Sequence, residues 1–143
     1  VQLFDSWVGA LSPEDYREFV LPHQKNVITG IKKTVPLIHF AHGATHLLEM
    51  VAEAGGDVIG LDWRCNLDEA WKRVGYDKAV QGNIDPISLF GSKEFIRKRT
   101  KEILDRAGGR NGHIMNLGHG ILQQTPLENA AEFINATHEM SKR

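Results

Sequence analysis

The chain has 143 residues, of which 41% are apolar and 24% charged, values that are ordinary for a globular domain or part of one. Its 17 Lys and Arg residues nearly balance its 18 Asp and Glu residues, so no basic field favours nucleic acid or an acidic membrane. No apolar run approaches the roughly 20 residues of a membrane-spanning helix, and one cysteine, Cys65, excludes an internal disulfide. We therefore expect a cytoplasmic protein that binds neither nucleic acid nor membrane.

Segments with strand character alternate with segments of helical periodicity along the whole chain. The predicted strands cover residues 1–5, 35–40, 58–61, 79–82 and 113–117. The predicted helices cover residues 12–33, 44–54, 66–74, 92–106 and a last stretch from 125 to the C-terminus. This order gives five consecutive β-α units.

Capping residues predict several of the helix boundaries. Ser12 followed by Pro13 is typical of an N-cap with proline in the first helical position, and the lysine pair at 32–33 suits the negative end of the helix dipole. Segments 66–69 and 125–128 resemble capping boxes, in which the first side chain and a glutamate three residues later bond reciprocally to backbone N–H groups.

Strict alternation of strand and helix predicts parallel strands joined by helical crossovers. An open doubly wound sheet fits this pattern if the chain is complete. Part of a (β/α)8 barrel, a fold of about 250 residues, fits it if the chain is a fragment. The chain opens in strand character without an initiator methionine, so we expect a preceding segment, but the pattern alone does not choose between the two architectures.

Each predicted strand is followed by polar or aromatic residues where it ends. These groups are Asp5-Ser6-Trp7, His39 to His42, Asp62-Trp63-Arg64, Gln81 to Asp85 and Asn116 to Gly120. In both architectures the carboxyl ends of the strands meet on the ligand-binding side. The succession of such ends therefore predicts a binding site at this edge of the sheet.

The run Gly118-His119-Gly120 ends the last strand, and its glycines permit a sharp turn or the close approach of a large ligand. His119 could hold a carboxylate or act as a general acid or base. A buried histidine that bonds to a backbone carbonyl is an equally good interpretation of the local sequence.

The remaining histidines and Cys65 do not form a convincing metal-binding pattern. His42 and His46 are four residues apart, but no glutamate completes the arrangement of the helical zinc hydrolases. We predict no metal site, histidines that face solvent or ligand, including His39, and an inert thiol at Cys65.

Four segments, QLFDSW at 2–7, GLDWR at 60–64, QGNIDP at 81–86 and NLGHGI at 116–121, resemble the uroporphyrinogen decarboxylase family in order and spacing. The combination of the last two is specific. The resemblance implies the C-terminal portion of a (β/α)8 TIM barrel, usually a homodimer, with no metal or organic cofactor. It also implies the removal of the four acetate carboxylates of uroporphyrinogen III to give coproporphyrinogen III in haem biosynthesis.

The resemblance assigns substrate binding to Ser6 and His119, with His119 as the catalytic residue and Phe4 lining the cleft beside Ser6. The family's essential aspartate, its carboxylate-binding arginines and a tyrosine of the cleft belong to an N-terminal half that this chain lacks. Arg64 is not assigned the role of those arginines. We therefore predict that residues 1–143 are the C-terminal part of one domain, inactive alone and prone to self-association through open sheet edges.

Two alternatives remain beside this interpretation. Corrinoid-dependent methyltransferases share the barrel, but their zinc site commonly uses a His-x-Cys segment, which is absent from this sequence. A non-catalytic half barrel that binds porphyrins without turnover is the other.

Overall fold

A computed structural model describes residues 1–31 and 34–142. Within these residues, one sheet contains five parallel strands in the order β1-β2-β3-β4-β5. The strands are β1 (Gln2–Asp5), β2 (Ile38–Ala41), β3 (Val58–Gly60), β4 (Ala79–Ile84) and β5 (His113–Leu117).

The strand order decides between the two architectures. A doubly wound sheet reverses its order at a switch point, whereas here each strand pairs with its predecessor in sequence. Right-handed crossovers in one direction place the helices on one face, as in a (β/α)8 barrel. Gln81 Nε2 of β4 lies 3.4 Å from Gln2 Oε1 of β1, although β2 and β3 separate those strands. The sheet is therefore curved, with a concave face on the barrel interior.

Helices pack on the convex face, and successive helices from α2 to α6 contact one another. In the described residues they are α1 (Pro13–Asp15), α2 (Leu21–Gly30), α3 (Leu48–Ala54), α4 (Leu67–Val74), α5 (Lys93–Ala107) and α6 (Leu127–Met140). The hydrophobic core lies between sheet and helices and includes Leu47, Ile59, Trp71 and Val80. None of the helices in 1–31 and 34–142 is both long and apolar enough to cross a bilayer.

The first predicted helix, 12–33, is correct at its start and is continuous to Gly30, with a π-helical turn inside it. Ser12 Oγ accepts a hydrogen bond from the Asp15 N–H at 3.1 Å and so caps α1 as predicted. The helical segment ends at Gly30. The lysine pair at 32–33 lies outside the described residues.

A π-helical turn, Tyr16–Val20, separates α1 from α2. Here the Leu21 N–H donates to the carbonyl of Tyr16, five residues earlier. Pro22 has no N–H, and its ring would clash with the carbonyl of Glu18 in a regular α-helix. The wider turn accommodates this proline within the helix.

The side-chain bonds of both predicted capping boxes are absent at these residues, although Asn66 is the N-cap of α4 as predicted. Neither Asn66 nor Thr125 makes a side-chain cap bond at the helix that follows it. Pro126 has an extended ψ of 131° and is itself the N-cap of α6, with its carbonyl accepting from the Asn129 N–H at 3.0 Å. Thr125 therefore precedes the cap by one residue, and its buried hydroxyl has no partner among the described residues.

Strand boundaries differ from prediction where a side chain takes a backbone hydrogen bond or where a neighbouring strand continues the pairing. The last strand, His113–Leu117, matches its prediction, whereas β2 begins at Ile38 rather than at residue 35. The Leu37 N–H bonds to Asp57 Oδ2 at 2.8 Å instead of joining a strand ladder. β4 extends two residues past its predicted end because Asn83 and Ile84 still pair with β5.

We expect the buried His39 and the half-buried His113 to make the chain less stable in mild acid. Burial lowers the pKa of His39, and the weaker effects of the Gly55 carbonyl and the Asp5 carboxylate oppose this shift. Burial also lowers the pKa of His113, opposed by its bond to the Gly82 carbonyl. The unfolded chain therefore binds more protons than the folded chain, and stability falls as the pH drops below about 6.5.

Urea unfolding between pH 7.5 and 5 checks this expectation. Each histidine contributes a slope of at most about 1.4 kcal/mol per pH unit in the unfolding free energy. His39→Leu should reduce the slope, whereas replacement of the exposed His23 by Leu should not. An unchanged slope in His39→Leu would place the acid sensitivity elsewhere.

Candidate functional site

The parallel sheet brings the predicted polar groups to one edge. The strands end in the same direction, at Asp5, Ala41, Gly60, Ile84 and Leu117. The side chains that follow them surround the carboxyl end of the barrel interior, as predicted from the order of the elements.

A cavity of about 320 Å³ opens on the concave face at this end. Phe4 and His119 both line it, and both contact the ring of Phe40, with centroid distances of 5.9 and 6.0 Å. The amides of Gln81 and Asn116 supply polar groups to the same wall. The cavity thus combines aromatic faces with neutral hydrogen-bonding groups.

His119 projects into this region and is exposed. Three rings surround it, with centroids at 4.5 Å for His42, 6.0 Å for Phe40 and 6.4 Å for Trp63, each at a steep angle to the imidazole. Edge-to-face contacts of this kind restrict the ring plane, while the side chain remains exposed. The interpretation of His119 as a buried histidine bonded to a carbonyl is therefore wrong.

Of the other two predicted substrate-binding residues, Phe4 lines the cavity and Ser6 does not. Phe4 is 65% exposed and lines the cavity with His119. Ser6 follows the end of β1, is exposed, and is not among the described residues that line the cavity. The structure therefore brings Phe4 and His119 together and leaves Ser6 beyond the cavity wall.

Gly118 is needed for close backbone approach rather than for a sharp turn. Neither Gly118 nor Gly120 has a positive φ. A Cβ added at Gly118 would lie 2.5 Å from the Trp63 backbone nitrogen and 3.0 Å from the carbonyl carbon of Asp62. A Cβ at Gly120 would meet nothing within 4 Å. Gly118 thus lets the end of β5 pack directly on the segment after β3.

Asp62, Arg64 and His42 form a network that the sequence analysis missed. The Asp62 side chain, 2% exposed, accepts from the Gly43 N–H at 2.6 Å and the Arg64 N–H at 2.8 Å. Arg64 Nη1 lies 3.1 Å from Asp62 Oδ2 and 3.2 Å from His42 Nε2. A guanidinium only donates, so His42 Nε2 is the acceptor in this contact. The sequence signals for this network were the polar residues at two strand ends, His42 and the run Asp62-Trp63-Arg64.

The expectation for the other histidines was wrong at His39. Successive strand residues face opposite sides, so Phe40 faces the cavity while His39 faces the helices and is fully buried. His42 is half-buried beside His119, and exposed His46 bonds through Nε2 to the Leu11 carbonyl at 2.9 Å. Only His42 therefore joins the candidate site.

Cys65 lacks the environment of a reactive thiol. Burial raises the pKa of its thiol, and the nearby Asp62 carboxylate raises it further. In residues 1–31 and 34–142, no three His, Cys, Asp or Glu side chains are grouped so that they could hold a metal ion.

The fold of this chain also occurs in solved structures. A methyltransferase from Methanosarcina mazei superposes with a TM-score of 0.85 over 99% of this chain and 42% of its own, at 20% identity. At that identity the likeness concerns the fold alone. Together with the strand order and the curvature of the sheet, it confirms the predicted five-unit part of a (β/α)8 barrel.

Sequence similarity identifies the family. The family model described as uroporphyrinogen decarboxylase (URO-D) matches residues 1–140. Relatives named uroporphyrinogen decarboxylase are 61% identical in Carboxydothermus hydrogenoformans and 50% identical in Sorangium cellulosum, each over 99% of this chain. The chain spans about 41% of the length of either relative. It belongs to the uroporphyrinogen decarboxylase family.

Proposed function

We propose that this chain is the C-terminal part of a uroporphyrinogen decarboxylase, which removes the four acetate carboxylates of uroporphyrinogen III as carbon dioxide and yields coproporphyrinogen III. The observation that carries the proposal is the meeting of Phe4, Phe40 and His119 around one cavity at the carboxyl end of the barrel. The identity of 61% to a relative of that name supports the same reaction.

The chemistry gives these residues distinct roles. Loss of carbon dioxide from a pyrrole acetate requires a protonated ring that accepts the electron pair of the breaking C–C bond. His119 is positioned to donate a hydrogen bond to a substrate carboxylate or to move a proton at the reacting carbon. Phe4 and Phe40 offer apolar faces that pack on a pyrrole and exclude water from the leaving carboxylate. Ser6 donates a hydrogen bond to a carboxylate nearer the rim.

One necessary group is not among these residues. A protonated pyrrole needs a nearby carboxylate to stabilise its charge, and the described residues that line the cavity include no Asp or Glu. In the family this role belongs to an aspartate of the N-terminal half. We propose that this half supplies the aspartate, pairs with the outer edges of β1 and β5, and completes a single domain.

The family resemblance supports two further parts of the proposal. The complete protein acts in the cytoplasm without a cofactor, and it forms a homodimer. Light scattering of the assembled protein should give twice the mass of one complete barrel, and the mass of a single barrel would contradict the homodimer.

A complementation assay tests the proposed reaction. The chain is expressed alone and together with the portion of the Carboxydothermus relative that it does not match. Products from uroporphyrinogen III are then separated by carboxylate number. We expect decarboxylation from the pair and none from the chain alone.

The other outcomes are equally informative. Activity of the chain alone would contradict the proposal that the essential carboxylate lies in the other half, and Asp5, Asp62 and Asp85 would then be the residues to test as its substitute. Porphyrin binding by a well-folded pair without any turnover would contradict the decarboxylase and favour the non-catalytic binding module.

A further inference from the structure

A second cavity, of about 370 Å³, shares His119 and Gly120 with the first. Pro86, Ile87 and Leu122 make much of its wall apolar. Arg64 also lines it, beside His42, Trp63 and Asp85. It is therefore a largely apolar recess that holds one cation, Arg64, and one carboxylate, Asp85, next to the proposed reaction site.

Arg64 is held rigidly but keeps part of its hydrogen-bonding capacity. Nη1 is occupied by Asp62 and His42, and the guanidinium lies 4.1 Å above the ring of Trp63. Its Nε and Nη2 make no polar contact with the described residues. These two nitrogens form one edge of the guanidinium, which matches the two oxygens of a carboxylate.

Asp62 orients this edge of the Arg64 guanidinium but does not prevent it from binding an anion. Two backbone N–H groups, from Gly43 and Arg64, already stabilise the Asp62 carboxylate. The Arg64 side chain is 45% exposed, so a ligand can reach its free edge. A fixed guanidinium loses little side-chain entropy when it binds an anion.

We propose that the second cavity binds a propionate carboxylate of the porphyrinogen, with Arg64 holding the carboxylate and Pro86, Ile87 and Leu122 packing on its methylene groups. This inference rests on the proposed function, which supplies a substrate with many carboxylates. A guanidinium stabilises the charge of a carboxylate in the ground state, which opposes its loss as carbon dioxide. The arm bound here is therefore one that the reaction retains, rather than an acetate that leaves.

Substitution of Asp85 should strengthen carboxylate binding, whereas substitution of Arg64 should weaken it. Asp85 lines the same cavity, and its Oδ1 accepts from the Ile87 N–H at 3.0 Å. Its charge repels an incoming carboxylate, whereas asparagine preserves the cap and removes the charge. Asp85→Asn leaves the Asp62–Arg64 pair intact, so it tests the cavity without disturbing that network.

Coproporphyrin, the oxidised form of the proposed product, carries propionates and no acetates and serves as the probe. Fluorescence titration of the folded chain at low ionic strength compares wild type, Arg64→Gln, Asp85→Asn and Arg73→Gln. Arg73 forms an exposed ion pair with Glu49 on the helical side, so Arg73→Gln is the matched control for loss of charge and of an ion pair. Circular dichroism confirms that each variant is folded.

We expect Arg64→Gln to weaken coproporphyrin binding by about tenfold or more, the effect of losing a charged hydrogen-bonded pair. Asp85→Asn should strengthen binding, and Arg73→Gln should leave it unchanged. Equal binding by wild type and Arg64→Gln, or no coproporphyrin binding by wild type, would overturn the proposal.

Kinetics of the complemented pair separate this inference from the proposed function. Arg64→Gln should raise KM and leave kcat unchanged, because a retained arm is bound equally before and during the reaction. Turnover with an unaltered KM would overturn the subsite and leave the decarboxylase standing. Absence of turnover in wild type together with Arg64-dependent coproporphyrin binding would overturn the decarboxylase and leave the subsite standing.

Discussion

The His119→Ala variant of the complemented pair is expected to decarboxylate uroporphyrinogen about a hundredfold to ten thousandfold more slowly than wild type, the usual contribution of a positioned acid or base. The imidazole lies at the wall shared by both cavities, and the rings of His42, Phe40 and Trp63 fix its plane. Alanine removes its proton-transfer and hydrogen-bonding capacity together. Initial rates for each decarboxylation step measure the loss.

Two further variants make this result specific. His138→Ala removes a histidine on the exposed last turn of α6. Because His138 lines neither cavity, this variant should retain the wild-type rate. Ser6→Ala should lower the rate less than His119→Ala does, because Ser6 lies outside the cavity lined by Phe4 and His119. A His119→Ala rate equal to wild type would remove His119 from the catalytic role.

The Gly118→Ala variant is expected to lose about 1–3 kcal/mol or more of unfolding free energy, the usual cost of overpacking a tightly packed site. The added methyl would lie 2.5 Å from the Trp63 nitrogen, and that backbone cannot move away without displacing Asp62 and its hydrogen bonds. Urea unfolding at a fixed pH measures the change.

Gly120→Ala is the matched control, because it adds the same methyl group two residues later. The space around Gly120 is open and its φ is not positive, so we expect a change within about 0.5 kcal/mol. If both variants lost equal stability, the cause would be a feature shared by the two glycines, and close packing at Gly118 would not explain it.

Local signals predicted the elements that depend on local physics. The strand His113–Leu117 appears within its predicted bounds, and Ser12 caps α1 through a side chain three residues from its partner. The first and last helices differ from prediction at Pro22 and Pro126. Each proline alters the backbone around it, so the first predicted helix contains a π-helical turn and the last helix begins one residue later than a Thr125 cap would give.

By itself, the sequence determined the alternation of strands and helices, the polar groups at the strand ends and the family, because each depends on the order of residues along the chain. Only the tertiary structure decided that the sheet curves, that Ser6 lies beyond the cavity and that His39 is buried. It also decided that Arg64 meets His42, 22 residues away in sequence. Such contacts depend on strand register, sheet curvature and the face to which each side chain points, and these are settled when distant segments pack together.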